Sequence, residues 1–218
     1  MRSFIRDYDN DLIPLEKLSS FLNKDPLPFH EELLSNNFYH QIEIDIAKNW
    51  QSTMMNFTDA RLLYIACRIL QPHIIIETGV NTGLSSAMIL LALKKNNKGH
   101  LYSIDLPIEE TKKFLLNKAV GWLVPDSLKE RWTLELGDSK KILPKILNNL
   151  KRCDIFLHDS DHSYAHMIWE YETVWPFLKK ALLSDDINQH TAFDDFVEKY
   201  HCRSLKFSER MGLVVPDS

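Results

Sequence analysis

The spacing of apolar and polar positions changes along this chain, and the changes mark its organisation. In TDARLLYIACRIL, residues 58–70, apolar side chains fall at 62, 63, 66, 69 and 70, which is the spacing of a helix with one buried face. Thr58 stands where an N-cap is expected and Pro72 where the helix must end. A short β-branched run, HIIIE, follows, then the loop TGVNTG and the helical run LSSAMILLALKK. The unit recurs. HLYSID predicts a second strand followed by a helix over EETKKFLLNKAVGWL. WTLEL predicts a third, followed by the turn GDS and the helix KKILPKILNNL. DIFLHD predicts a fourth strand, with a helix from about Ala165 to Leu178 carrying Met167, Ile168, Tyr171, Val174, Trp175 and Leu178 on one stripe. ALLSDD predicts a fifth, followed by TAFDDFVEKY, and the tail SLKFSERMGLVVP folds back as two more strands around Arg210 to Gly212. Continuous apolar strands alternating with helices imply an α/β fold whose mostly parallel sheet is covered on both faces.

The first 56 residues lack this alternation. Aromatic residues appear in patches (Phe29, Phe38, Tyr39, Trp50), with prolines at 14, 26 and 28. We expect a helical extension or lid over residues 1–56, joined to one α/β domain over 57–218. Composition narrows the class without naming it. Hydrophobic residues make up 44% of the 218 and charged residues 26%, which is ordinary for a globular protein. A net charge of −4 without a basic stripe argues against a nucleic-acid partner. Cys67, Cys153 and Cys202 are odd in number and widely spaced, which suits a reducing compartment better than a disulfide framework. The N-terminal stretch MRSFIRDYDNDL carries acids and lacks a signal-peptide apolar core, and runs such as AMILLAL are too short to span a bilayer. The expectation is a soluble cytoplasmic protein with a small-molecule partner and no membrane; a homo-oligomer is compatible with all of this.

Chemistry-bearing residues cluster where such a sheet binds ligands, at the carboxyl ends of its strands. The first strand runs into ETGVNTG, that is Glu77-x-Gly79-x-x-x-Gly83. The dinucleotide fingerprint fails, because Asn81 and Leu84 stand where glycines are needed, and a phosphate loop fails because Leu84 and Ser85 replace its glycine and lysine. The second strand ends in Asp105, placed to receive ribose hydroxyls. The third ends in Gly137-Asp138-Ser139, a turn that can hold an adenine amino group. Asp105 and Asp138 would equally serve as helix N-caps. Three of the six glycines (79, 83 and 137) fall in these loops, favouring close approach of backbone to a ligand.

These motifs resemble those of class I S-adenosylmethionine-dependent methyltransferases. ETGVNTG is similar to their first motif, Asp105 to their ribose-binding acid and GDS to their adenine loop. The stretches GWLVPDSLKERWTLELGDS and IFLHDSDHSYAHMIWEYETVWPFLKK resemble a small-molecule subfamily that includes macrocin-type O-methyltransferases and cephalosporin hydroxylase-like proteins. The likeness runs over roughly residues 58–200. It implies a Rossmann-like seven-stranded sheet and a cofactor held by Glu77, Gly79, Thr82, Gly83, Ser85, Asp105, Gly137, Asp138, Ser139 and His158. The Pro-Gly-Gly turn usual before strand five is absent; the chain reads FLKKALLSDD instead.

The fourth and fifth strands should be neighbours, which would bring Asp159, Asp185 and Asp186 together. Clustered carboxylates need compensating positive charge. A divalent cation is the simplest source, and oxygen ligands suit Mg2+ or Ca2+; the resemblance points to the same three residues. His158, His162 and His166 are four apart but share no helix face, so a zinc site is not expected. For proton removal from an acceptor, His162 is the expected base, because histidine titrates near neutrality, with Asp161 as runner-up or as the group that orients the imidazole. Trp122 is the lid candidate. Competing readings are a metal-independent or nitrogen-directed methyltransferase, a metal-dependent hydroxylase or hydrolase on the same fold, and a cofactor-binding protein without turnover.

Overall fold

The computed structural model describes residues 11–48, 57–107, 109, 115 and 118–216. Seven strands form one sheet in the order β3-β2-β1-β4-β5-β7-β6. They are β1 (Ile74–Thr78), β2 (His100–Asp105), β3 (Trp132–Leu136), β4 (Cys153–His158), β5 (Leu178–Ser184), β6 (Arg203–Lys206) and β7 (Gly212–Val215). Strands β1 to β5 pair in parallel, whereas β7 runs antiparallel between β5 and β6. The chain builds β1, β2 and β3 outward on one side, then crosses back to lay β4 against the other side of β1. The switch point therefore lies between β1 and β4, where an open sheet leaves a crevice for ligands.

Alternate residues of the central strands feed opposite cores. Ile75, Ile155, Leu157, Ala181 and Leu183 face one apolar cluster, while Ile76, Phe156 and Leu182 face the other. The first cluster is covered by α4 (Phe57–Leu70) and α5 (Leu84–Asn96). The second is covered by α6 (Ser139–Leu150), α7 (Tyr164–Val174) and α8 (Ala192–Tyr200). Every residue of α5 from Leu84 to Leu93 is buried, as expected of a helix apolar all round, so it needs a cover on its outer side as well. That cover is α4, against which α2 (Leu27–Leu34) packs, with α3 (Asn37–Lys48) against α2 and α1 (Leu12–Leu22) against β6, adding Leu15, Leu18, Leu33, Tyr39, Ile42 and Ile46 to the same core.

The sequence pattern and the fold differ in several places, among them the fifth strand, which spans Leu178–Ser184 and leaves Asp185 and Asp186 beyond its end. Thr58 is not the cap of α4: the helix starts at Phe57, and the Thr58 hydroxyl donates to Asp11 Oδ1 (2.9 Å). The helix of the fourth strand stops at Val174, because Pro176 has no N–H to continue it; a 3-10 turn follows, and Leu178 already belongs to β5. The helix expected over residues 109–123 falls largely outside the described residues, and its described end, Val120–Leu123, is turn. Among the described residues no helix is long and apolar enough to cross a membrane.

Candidate functional site

A cleft of about 580 Å3 opens at the carboxyl ends of β1, β2, β3, β4 and β5. Its floor is the β1–α5 loop. Gly79 has φ +82°, and a Cβ there would lie 1.8 Å from the carbonyl oxygen of Asp159. Here glycine is demanded by the backbone of Asp159 and Ser160, just past the end of β4. The loop is held from beneath and from the side. Beneath it, Glu77 is fully buried and accepts from Ser85 (2.5 Å), Ser86 (2.6 Å) and Ser103 (2.6 Å). Burial pushes its carboxyl above the ordinary carboxylate range, against the pull of the three hydroxyls. At the side, Asp105 Oδ2 accepts from the amides of Val80 (3.0 Å) and Asn81 (2.7 Å), and its Oδ1 accepts from Leu106 N (2.7 Å). Each carboxylate oxygen has more than one lone pair, so Asp105 retains acceptor capacity toward the cleft it lines.

Thr82 and Ser85 line the cleft, whereas Glu77 and Gly83 stand behind it. Gly83 caps α5 with φ +88°, and a Cβ there would meet Gly121 at 2.8 Å. Gly137, Asp138 and Ser139 form the next wall. Gly137 N donates to Asp105 O (2.7 Å), and the Asp138 carboxylate caps α6 by accepting from Lys140 N (2.9 Å). Trp122 does not line the cleft; it packs on the first core cluster under Lys118 Nζ, 3.4 Å from its ring centre.

The far wall comes from β4 and β5, joined by the bond from Asp185 N to His158 O (2.9 Å). His158 is fully buried and does not line the cleft; its place there is taken by His166. Both histidines are held by one buried carboxylate, Glu170 of α7, which the apolar stripe of that helix conceals. Glu170 Oε2 bonds His158 Nδ1 (2.6 Å) and Thr78 Oγ1 (2.6 Å), and its Oε1 bonds His166 Nε2 (2.9 Å) and Ser160 Oγ (3.1 Å). Burial opposes its charge, but the bonds from His158 and His166 outweigh burial and hold Glu170 down at about 2. The visible signal in the sequence is an acid at i+3 from Met167, on the buried side of α7. His166 Nε2 also lies 3.2 Å from Ser139 Oγ, tying the adenine-type loop to α7.

Asp159, Asp161, His162, Asp185 and Asp186 all line the cleft. His162 Nε2 faces Asp159 (3.7 Å) and Asp186 (3.6 Å), and its Nδ1 has no hydrogen-bond partner among the described residues. Burial, with His158 beside it, holds the His162 imidazole below its ordinary value. Asp161 accepts from Ser163 N (2.9 Å), a bond that holds its carboxyl below the ordinary range. Burial and the adjoining Asp185 push Asp159 well above it.

The three acids expected to bind a divalent ion are therefore brought together, but they meet a cation that strand-by-strand reading omits. Arg210 Nη2, from the β6–β7 turn, lies 2.6 Å from Asp186 Oδ1 and 3.2 Å from Asp185 Oδ2. Among the described residues no group of three or more His, Cys, Asp or Glu side chains is disposed to hold a metal ion. In this arrangement Arg210 supplies compensating charge to Asp185 and Asp186 but has no ion pair with Asp159, whose carboxyl burial and Asp185 raise, so the three do not form a ready Mg2+ or Ca2+ centre. An S-adenosylmethionine-type ligand fits better. The cleft is within the range of small-molecule sites, the N-terminal turn of α5 opens into it, and the buried Asn81 Oδ1 has no partner among the described residues.

A family model described as a methyltransferase domain matches residues 76–187, just over half of the chain. The chain belongs to that family, and its fold is the Rossmann-like methyltransferase fold. No curated protein matches it. Among solved structures it is similar to a methyltransferase from Geobacter sulfurreducens, at 19% identity and TM-score 0.58, over 83% of this chain and 90% of that one. It is similar to the O-methyltransferase from Bacillus cereus in complex with SAH, at 16% identity and TM-score 0.58, over 93% and 96%. It is similar also to TomG from Streptomyces achromogenes, an O-methyltransferase involved in tomaymycin synthesis and solved in complex with SAM, at 13% identity and TM-score 0.61, over 97% and 99%.

Proposed function

We propose that this protein transfers a methyl group from S-adenosylmethionine to an oxygen of a small-molecule acceptor. The observation that carries the reading is one cleft in which the three loops of β1, β2 and β3 face a histidine and carboxylates from β4 and β5. S-adenosylmethionine supplies an electrophilic methyl on its sulfonium. The residues of the chain then have two tasks, alignment and proton removal. Thr82, Ser85, Asp105, Gly137, Asp138 and Ser139 would hold the donor, with Glu77, Gly79, Gly83 and His158 shaping the backbone and packing behind them. His162 takes the acceptor's proton. Burial and the neighbouring His158 favour the neutral imidazole that a base requires, and Asp186, 3.6 Å away, faces the imidazolium that forms. Asp161 suits the base role less well, since its amide bond favours the carboxylate as the weaker base. Beside Asp185 and Asp186, Arg210 occupies the place of the divalent ion that the family resemblance implies.

The test is calorimetric titration with S-adenosylmethionine and its demethylated product, followed by transfer of isotope-labelled methyl to a panel of hydroxylated and amino acceptors. Binding and label in an ether or ester product are expected. Absence of any binding heat would sink the reading, and label on nitrogen would redirect it to the nitrogen-directed alternative.

A further inference from the structure

We propose that Arg210 is the resident cation of the acceptor end of the cleft, doing for Asp185 and Asp186 what a divalent ion would otherwise do, so that methyl transfer here is metal-independent. The inference rests on the reading above for the reaction, but its geometry stands alone. Residues Ser184 and Gly212 face each other in the antiparallel β5–β7 ladder. Two residues beyond Ser184 is Asp186, and two residues before Gly212 is Arg210, so the ladder itself sets them opposite one another. The bond from Ile187 N to Arg210 O (3.0 Å) continues that pairing past the end of the strands. The turn is further held by Ser208 Oγ, which accepts from Met211 N (3.0 Å) and Arg210 N (3.3 Å). Gly212 admits no side chain without displacing the Phe193 ring, which a Cβ there would meet at 2.5 Å. Arg210 is thus delivered by the fold.

Guanidinium is charged at all working pH values and makes strong charge-assisted bonds to carboxylates. One nitrogen, Nη2, bridges both acids, and Asp185 is 2% exposed. A divalent ion entering between them would have to break both bonds and leave a half-buried Arg210 beside a second cation. What Asp185 and Arg210, which both line the cleft, retain is hydrogen-bonding capacity. Asp185 Oδ1 and Arg210 Nε are buried, without partners among the described residues. An acceptor carrying a single hydroxyl meets those requirements. It needs no pair of adjacent oxygens to chelate a metal.

The test is Mn2+ titration of the full chain, read by the electron paramagnetic resonance of free Mn2+. The unmutated protein should show no saturable binding up to about 1 mM, the weak end of the range for built cation sites. Arg210→Ala should uncover the acids and gain a site tighter by tenfold or more, Arg210→Lys should not, and Arg210→Ala with Asp185→Asn should lose it again. Saturable binding by the unmutated protein that Asp185→Asn abolishes would overturn the proposal. So would an Arg210→Ala protein that keeps its fold by circular dichroism yet gains no affinity. If Arg210→Ala does not fold, the unmutated and Asp185→Asn titrations decide alone. Cofactor calorimetry, read separately, shows whether a failure belongs to this proposal or to the methyltransferase reading.

Discussion

His162 and Gly79 show how much of the candidate site rests on single residues. Loss of the imidazole in His162→Ala should lower single-turnover methyl transfer by roughly 10²–10⁴-fold, the usual range for general acid–base help. It should also remove an acidic limb of the pH–rate profile that lies below the ordinary histidine value of 6.5, since burial lowers this group. Cofactor affinity should not change. If His162→Ala keeps its rate and Asp161→Ala does not, the role passes to Asp161. At Gly79 the expected failure is of backbone. Any side chain would collide with the Asp159 carbonyl at a positive φ, so Gly79→Ala should push β4 away from β1. Cofactor binding and thermal stability should fall together; a protein that loses binding while keeping its melting temperature would show that a ligand, not β4, demands the glycine.

At the scale of elements, the N-terminal helices are held on by a buried ion cluster as well as by apolar packing. Arg61 of α4 makes a two-pronged contact with Asp11 (Nε–Oδ2 2.5 Å, Nη2–Oδ1 2.7 Å) and donates to Tyr39 of α3 (3.1 Å), while His30 of α2 bonds the same Asp11 (2.9 Å). Removing one partner of a buried pair leaves an uncompensated charge and costs about 3–5 kcal/mol. Arg61→Ala should therefore lower the urea midpoint by that equivalent and make the segment before α4 susceptible to limited proteolysis. An unchanged midpoint would mean that packing alone holds these helices. None of the described residues 11–48 lines the cleft; we propose that they serve as an extension of the α5 cover.

For the molecule as a whole, Glu170 links stability to pH, because it joins α7 to β4, β1 and the 137–139 loop. Its folded pKa, about 2, lies below the ordinary 4.5, so its contribution is complete above about 4.5 and is lost as pH falls toward 2. His166 is shifted the other way. The Glu170 bond raises it above 6.5, so its contribution is complete below 6.5 and is lost as pH climbs through the raised value. Both are complete only between 4.5 and 6.5. The melting-temperature gap between the unmutated protein and Glu170→Gln should be widest in that window and narrow on either side. A gap independent of pH would show that the network acts by packing alone.

What the sequence determines by itself is the β/α alternation, the positions of the strand ends and the residue types that gather there. Period, turn chemistry and breakers are properties of consecutive residues, which is why β2 and β3 match HLYSID and WTLEL and why the glycine loop follows β1. Even the hairpin around Arg210 was readable. Tertiary structure alone decided what those residues meet. Glu170 hides in an apolar stripe and becomes the holder of two histidines only when α7 docks on β4. The acids of β4 and β5 look as though they need a metal until β7 folds back beside β5 and brings Arg210 to Asp186. Glycine at 79 looks like a ligand contact until the turn after β4 packs against it. In each case the deciding force is between neighbours in space. A buried charge or donor must find its partner within a few ångströms, and that partner comes from a strand or helix far away in the chain.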